Sequence, residues 1–435
     1  MGNGVYGAWN GIVSMLKVGL HSTVAKNAAS LYVIQFAQYI LPLITVPYLV
    51  RVLEPSGYGL VAFGQSLIAY FTIFADYGFA FSATRKISLH RDNILVVSST
   101  ASQVWASKAV LGALGFLILF AVVSYVPKLQ EISPLVIILY GVVIGNVLFP
   151  TWLFQGMEKM VFISVINLLM QFFILIGVFK LVHSPDDVMI YTGIISIGSV
   201  LSGLAGACMA ILLFKLHLII PSKKDVIETL QEGWILFFST ASVSLYTAGN
   251  AFILGLLANA TAVGYYSVAE KIAYAVLGLL SPIGQAAYPR FNKLAAHSKA
   301  CALQWARRML LSVASLGLML SLILFIGAPI IVRLVLGPSY EPSIMVLRIL
   351  APLPFLVAIS NVFGIQLMVP FGKDRVFAFI LFGAGLVNLA LAIALSPLWD
   401  ESGMALAVLI SEMFVAVVMF GYLSLKQLNP IYNIK

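Results

Sequence analysis

Apolar stretches of about 20 residues, the length of helix that crosses a bilayer, recur along this chain between short polar breaks. The composition agrees with that pattern, because 61% of the residues are hydrophobic and 9% are charged. A soluble domain carries about 25% charged residues and could not bury so much apolar surface. The sequence therefore predicts an all-α polytopic membrane protein.

The apolar stretches predict twelve transmembrane helices. Pro, Gly and acidic residues mark many of the breaks between them, as in EPSG, HSPDD and LWDESG. The predicted spans are residues 28–50, 59–81, 105–126, 135–155, 161–182, 189–214, 233–257, 263–289, 309–330, 344–370, 376–397 and 403–424.

Positive charge divides these connections between the two sides of the membrane. In this topology 18 of the 25 Lys and Arg residues fall on one side, together with both termini. Positively charged loops stay in the cytoplasm, so both termini are predicted to be cytoplasmic. The net charge of +9 is thus spread over short cytosolic loops, which argues against a nucleic-acid partner.

The longest basic connection follows the sixth span and divides the chain into two halves. We expect a cytoplasmic N-terminus at 1–27, an N-lobe at 28–214, a connection at 215–232, a C-lobe at 233–424 and a cytoplasmic tail at 425–435. Residues 8–20 are expected to form an interfacial helix.

The two halves repeat each other weakly. SGYGLVAF at 56–63 is similar to VGYYSVAE at 263–270, and each opens the second helix of its half. Asn146 with Val147 recurs as Asn361 with Val362. Since six helices separate the copies, the repeats are parallel, which predicts a pseudo-twofold axis along the membrane normal and a central site between two lobes.

Motifs that would indicate an enzyme are missing from the sequence. It contains no P-loop, no HExxH and no CxxC, and its two cysteines have no metal-ligand spacing. We therefore predict no catalytic residues, no metal and no cofactor.

Polar side chains form stripes along several predicted spans. They either hold helices together or line a water-filled cavity, because lipid cannot satisfy their hydrogen bonds. Long stripes at matching positions of the two halves favour a cavity. Its candidate lining residues are Gln65, Tyr246, Asn250, Tyr274 and Gln285.

Ionisable residues inside spans are costly, and they are therefore either paired or functional. Asp76, Glu270 and Glu412 are candidates for coupling transport to protons, with a structural ion pair as the alternative. Lys108 and Arg348 lie close enough to helix ends for their long side chains to reach the interface, although Arg348 could face inward instead.

Basic residues follow the second helix of each half, at Arg85, Lys86, Arg290 and Lys293. Their first role is topological. They are also candidates, with Arg348, for binding an anionic head group at the cytoplasmic mouth, because Arg pairs with phosphate oxygens in a bidentate manner.

Four segments carry a resemblance to a known family. PYLVRVLEPSGYGLVAF, DYGFAFSATRKIS, TWLFQGMEKM at 151–160 and LGPSYEPSIMVLRILAPLP at 336–354 resemble segments of Wzx-type polysaccharide flippases. These belong to the multidrug/oligosaccharidyl-lipid/polysaccharide exporter superfamily. The matches are spread from about residue 30 to the tenth predicted helix.

This resemblance implies a flippase of the bacterial inner membrane that works by alternating access. The implied cargo is an undecaprenyl-pyrophosphate-linked O-antigen or capsule repeat unit, with membrane lipid and other membrane proteins of glycan assembly as further candidate partners. It also implies a cationic lumen, for which Asp76, Arg85, Arg290 and Arg348 are candidate counterparts.

Three alternatives stay open at the level of the sequence. A drug exporter of the same superfamily would have a cavity of net negative charge for a cationic drug, whereas a lipid-pyrophosphate needs net positive charge. A glycan polymerase or ligase would need a large outer loop, and the outer loops here are short. A scaffold for glycan-assembly enzymes would not depend on the cavity charges.

Overall fold

The computed structural model describes the backbone of residues 23–247 and 249–432. Within these ranges, the side chains of 23–40, 42–43, 235–236, 238–247, 285–286 and 289 are not described. The expected interfacial helix at 8–20 lies outside the described residues.

Helices account for the regular structure of the described chain. We number them α1 Thr23–Asp76, α2 Phe79–Leu89, α3 Ile94–Tyr125, α4 Pro127–Glu131, α5 Ser133–Leu139, α6 Gly141–Leu148, α7 Thr151–Gly156, α8 Val161–Leu181, α9 Val188–Phe214, α10 Lys223–Thr247, α11 Asn250–Leu257, α12 Ala260–Gly278, α13 Ser281–His297, α14 Lys299–Ile331, α15 Ser343–Leu350, α16 Leu353–Asn361 and α17 Asp374–Leu425.

Two of these helices are too long for one membrane crossing and contain a sharp break. Helix α1 has 54 residues and leaves helical geometry at Glu54, whose φ is 56°. Helix α17 has 52 residues and breaks at Trp399 and Asp400. The breaks fall at the EPSG and LWDESG segments, so the interruptions predicted at these two positions are confirmed.

Eight helical segments in the described part of the chain are long and apolar enough to cross a membrane. Asp374–Leu425 includes two predicted spans, whereas Ile44–Leu89 includes the second predicted span and only the last seven residues of the first. Helices α10 to α13 cover the predicted seventh and eighth spans but are not among the eight, and part of their side chains is not described. The prediction of an all-helical polytopic membrane protein is confirmed.

Helix ends differ from the predicted spans at two places. The second span was predicted to reach residue 81, but α1 ends at Asp76 because Tyr77 and Gly78 are both left-handed, with φ of 46° and 75°. The fourth span, predicted as continuous, is divided among α5, α6 and α7. Pro150 interrupts it, since proline lacks the N–H that a helix interior needs.

The two halves of the chain approach closely at the end that carries Pro55 and Ala260. A Cβ atom at Gly59 would lie 1.7 Å from the carbonyl oxygen of Ala260. A Cβ at Gly264 would lie 2.1 Å from the carbonyl oxygen of Pro55. Only glycine permits this approach of α1 and α12. We call this contact the glycine crossing; it joins the two repeated segments described above.

Candidate functional site

Two cavities collect many of the polar residues that the sequence singled out. The smaller, of about 230 Å³, lies between the halves next to the glycine crossing, and we call it the interface cavity. Helix α1 contributes Gln65 to it, α11 contributes Asn250, and α12 contributes Glu270 and Lys271. Three predicted site residues from different parts of the chain thus share one cavity.

The two charges of the interface cavity are each held by a tyrosine. Glu270 accepts a hydrogen bond of 2.7 Å from the hydroxyl group of Tyr266. Lys271 donates one of 2.6 Å to the hydroxyl group of Tyr58, which lies in the other half of the chain. The Lys271–Tyr58 bond therefore joins the two halves of the chain.

The larger cavity, of about 780 Å³, lies within the second half, and we call it the C-half cavity. Tyr274 of α12, Tyr288 of α13, Asn361 of α16 and Glu412 of α17 line it together with apolar side chains. Among the lining residues that the structure describes, Glu412 is the single charged one. The C-half cavity is therefore not the cationic lumen that the resemblance implied.

Asp76 is an ion-pair partner in the first half. The amine of Lys108 on α3 lies 2.9 Å from a carboxylate oxygen of Asp76. It also donates to the backbone and side-chain oxygens of Asn146, at 2.8 and 3.1 Å, and the Asn146 amide donates to Asp76 at 3.3 Å. The ammonium group is thus satisfied by three acceptors.

The expectation that Lys108 reaches the membrane interface is wrong. Its side chain is 2% exposed, whereas that of Asp76 is 46% exposed. The reason is that Asp76 and Asn146 supply acceptors inside the protein, so the ammonium group does not need water. For Asp76, this geometry is that of a structural ion pair, which was the alternative to proton coupling.

The four basic residues of the predicted mouth lie on α2 and α13. Lys86 is 3.8 Å from Glu232 of α10, which offsets part of its charge. The guanidinium of Arg290 lies 6.0 Å from the centre of the Trp305 ring. Arg85 and Lys293 are exposed. Arg85, Arg290 and Lys293 are therefore on the surface rather than within the two cavities.

The remaining predicted site residues lie elsewhere. Arg348 on α15 is exposed, and its guanidinium is 5.8 Å from the centre of the Phe325 ring on α14. It does not line the described parts of either cavity. The side chains of Tyr246 and Gln285 lie outside the described residues.

Several residues of these sites were not proposed from the sequence as site residues. Gln366 lies in the π-helical turn after α16, is buried, and donates a 2.9 Å hydrogen bond to the backbone oxygen of Gly284. Two other such residues could have been found from the internal repeat of the sequence. Asn146 and Asn361, which it paired, lie in the ion-pair network and in the wall of the C-half cavity.

The sequence of this chain is similar to those of known proteins. A family profile described as "Polysaccharide biosynthesis protein" matches residues 24–295. A protein of Escherichia coli (strain K12) named "Putative O-antigen transporter" is 34% identical over 397 residues, which are 91% of this chain and 96% of that protein. A protein of the same name from Shigella dysenteriae is 28% identical over 405 residues, 91% of this chain and 98% of that protein.

Solved structures are similar in fold. The lipid II flippase MurJ in an inward closed conformation has a TM-score of 0.70 at 14% identity, covering 92% of this chain and 89% of that one. An inward-facing multidrug resistance transporter of the MATE family and MOP superfamily has a TM-score of 0.61 at 14% identity, covering 89% and 98%. At this identity the likeness establishes the fold, which is that of MurJ and the MATE transporters.

Proposed function

The chain belongs to the polysaccharide biosynthesis protein family and is a transporter, and on that premise we propose that it is a lipid-linked oligosaccharide flippase. Its cargo is an undecaprenyl-pyrophosphate-linked O-antigen or capsule repeat unit, which it moves from the cytoplasmic to the periplasmic leaflet of the bacterial inner membrane. The observation that carries the proposal is the 34% identity to a protein named as an O-antigen transporter, over 91% of this chain.

The proposed architecture has twelve transmembrane helices in two six-helix lobes, at 28–214 and 233–424. They are joined by the cytoplasmic connection 215–232 and flanked by a cytoplasmic N-terminus at 1–27 and a tail at 425–435. The glycine crossing supports a pseudo-twofold axis, because it brings the two repeated segments against each other. The distribution of Lys and Arg supports cytoplasmic termini.

Alternating access requires that the halves separate at one end while they close at the other. The glycine crossing lies at the end that the charge distribution assigns to the periplasm, which supports a state closed to that side. The Lys271–Tyr58 hydrogen bond across the halves supports the same closure. Release of the cargo then requires breaking both contacts.

The roles proposed for single residues are those that the sequence suggested. Arg85, Lys86, Arg290 and Lys293 receive the pyrophosphate at the cytoplasmic mouth, and the polyprenyl chain stays in lipid. Polar and aromatic side chains are proposed to line the pathway, and Arg348 is a further candidate for binding the anion. The candidate lining residues are Gln65, Tyr246, Asn250, Tyr274 and Gln285.

For proton coupling, Glu270 and Glu412 are stronger candidates than Asp76. A proton on Asp76 would leave the buried ammonium of Lys108 without its counter-charge, which is costly. Replacing all three carboxylates with amides tests the coupling. Unchanged glycan export with unchanged dependence on the proton gradient would exclude a coupling role for these residues.

Complementation tests the function itself. In a strain that lacks its own flippase, lipid-linked repeat units of defined structure accumulate on the cytoplasmic face. We expect this chain to relieve that accumulation and to restore export. Continued accumulation with the protein present in the membrane would reject the flippase.

A drug exporter of the same superfamily is the second candidate, and one observation favours it. The C-half cavity carries the carboxylate of Glu412 and, among its described lining residues, no cation. Efflux of a cationic dye from cells, lost on Glu412→Gln, would support this candidate. Dye retention together with restored glycan export would support the flippase.

A further inference from the structure

The charge of the C-half cavity raises a question about where the parts of the cargo bind. A pyrophosphate needs cations, whereas the described wall of this cavity offers the carboxylate of Glu412. Building on the proposed function, we propose that the C-half cavity binds the glycan, and that Glu412 selects repeat units built from neutral or amino sugars over those that contain sugar acids.

The remaining polar groups of the wall suit a sugar. Sugar rings have apolar faces that pack on aromatic rings, and hydroxyl groups that bond to amides and carboxylates. Tyr274 is 44% exposed and lines the cavity, as do Tyr288, Asn361 and Gln366. Aromatic faces and amide groups thus occur together around one space.

Gln366 provides a hydrogen-bond acceptor in this wall. Its Nε2 donates to the backbone oxygen of Gly284, which fixes the orientation of the amide. Its Oε1 is buried and has no hydrogen-bond partner in the described part of the protein. A buried acceptor without a partner is unfavourable, and a sugar hydroxyl that reached it would remove that cost.

Two glycines leave room beside these groups. A Cβ atom at Gly284 would have as its neighbours within 4 Å the side-chain oxygen of Asn361, at 3.5 Å, and Nε2 of Gln366, at 3.8 Å. A Cβ at Gly278 would meet no atom within 4 Å. The cavity volume of about 780 Å³ lies within the range of about 300–1,000 Å³ that is usual for ligand pockets.

Selection by Glu412 follows from its surroundings. Apolar lining lowers the local dielectric constant, so charges interact more strongly than in water. A sugar acid would place a second negative charge near this carboxylate, where the described wall has no cation to compensate. A hydroxyl group can donate to the carboxylate, and an ammonium group can pair with it. Discrimination therefore comes from repulsion of the wrong cargo.

The test compares two lipid-linked units that differ in one residue, a hexose or the corresponding hexuronic acid. The purified full-length protein is reconstituted into sealed vesicles, and movement is read as accessibility of the glycan to periodate added outside. We expect wild type to move the neutral unit about tenfold faster or more, because like charges in an apolar site repel strongly. Equal rates in wild type would overturn the proposal.

Variants at Glu412 separate charge from shape. Glu412→Gln should bring the ratio of the two rates close to one, whereas Glu412→Asp should keep the preference for the neutral unit. Glu228→Gln is the control. It removes a carboxylate whose side chain is 56% exposed and which does not line the C-half cavity, so it should leave the ratio unchanged. A Glu412→Gln protein with the wild-type ratio would also overturn the proposal.

A second pair of variants tests the location. Gly278→Phe adds a ring in open space within the cavity and should abolish movement of both units. Gly193→Phe, at a position in α9 where a Cβ also meets no atom within 4 Å, is the matched control and should retain movement. Wild-type rates for Gly278→Phe would show that the glycan binds elsewhere. Failure of wild type to move either unit would instead reject the proposed function.

Discussion

At the scale of single residues, the network around Lys108 shows how a buried charge depends on distant partners. Asp76 and Lys108 are 32 positions apart, and Asn146 is 38 positions from Lys108. The cost of a carboxylate inside an apolar segment can be read from the sequence. Its partner cannot, because nothing in the sequence says which helices become neighbours.

The first prediction follows from the unequal exposure of the two charges. Asp76→Ala leaves a buried ammonium group with two neutral acceptors, so we expect a loss of stability of about 3–5 kcal/mol. Lys108→Met leaves a carboxylate that is 46% exposed and keeps the Asn146 amide as a donor, so the loss should be smaller, about 1–3 kcal/mol. Thermal unfolding of the purified variants shows which of the two loses more stability.

The double variant provides the control for this prediction. Asp76→Ala combined with Lys108→Met removes both charges, and its melting temperature should lie above that of Asp76→Ala alone. A double variant that is less stable than either single variant would contradict the account of an orphaned charge.

Cavity residues were predictable to different degrees. The stripe pattern found Gln65, Asn250 and Glu270, which share the interface cavity, because helical spacing places such residues on one face. It did not find Gln366, because that residue lies in a π-helical turn, where the spacing of an α-helix no longer applies.

At the scale of helices, the breaks within α1 and α17 each divide one long helix into two segments. Glu54 has φ of 56° and ψ of 172°, a backbone conformation that residues other than glycine rarely adopt. The Pro, Gly and acidic residues of the break were visible in the sequence. The residue that carries the strain was not, because it precedes the proline and glycine that mark the turn.

The second prediction concerns this strain. Glu54→Gly should stabilise the protein by about 1 kcal/mol, because relief of the backbone conformation exceeds the entropy cost of glycine. Glu54→Ala is the matched control and should give no gain, since alanine keeps a Cβ atom. The melting temperatures of the two variants decide, and equal values would argue against strain at this residue.

The third prediction concerns the glycine crossing of α1 and α12. Gly264→Val places side-chain atoms where the carbonyl oxygen of Pro55 lies, so the two helices cannot close. We expect a cysteine at Ser66, in the interface cavity, to become reactive toward an impermeant maleimide added from the periplasmic side.

This labelling experiment needs two controls. Cys208 and Cys301 are exposed and must first be replaced by serine. Gly193→Val, where a Cβ atom meets nothing within 4 Å, should leave the cysteine at Ser66 as protected as in the parent protein. Protection that persists in Gly264→Val would mean that the crossing does not close the periplasmic end.

At the scale of the whole molecule, much of the proposed architecture rests on periodicity and charge. Span length and the distribution of Lys and Arg predicted a polytopic helical protein, and the fold likeness to MurJ agrees with it. The position and charge of the C-half cavity could not be predicted, since α12, α13, α14, α16 and α17 all contribute residues to it. A cavity is a property of packing rather than of any one segment.

The fourth prediction tests alternating access across the molecule. Cysteines at Tyr58 and Lys271, joined by a bifunctional maleimide, should hold the halves closed and stop export of the glycan. The unlinked double variant should still export, because it loses one hydrogen bond but keeps the glycine crossing. Full export by the linked protein would exclude separation of the halves at this end.

The glycine crossing has a consequence for how such a transporter can acquire a new cargo. The contact is made by backbone atoms at Gly59 and Gly264, and neither residue lines the C-half cavity. On the proposed assignment of the glycan to the C-half cavity, the residues that close the protein and the residues that contact the glycan are separate sets. The cavity wall can be redesigned for other sugars, one side chain at a time, while the motion that carries them across the membrane is left intact.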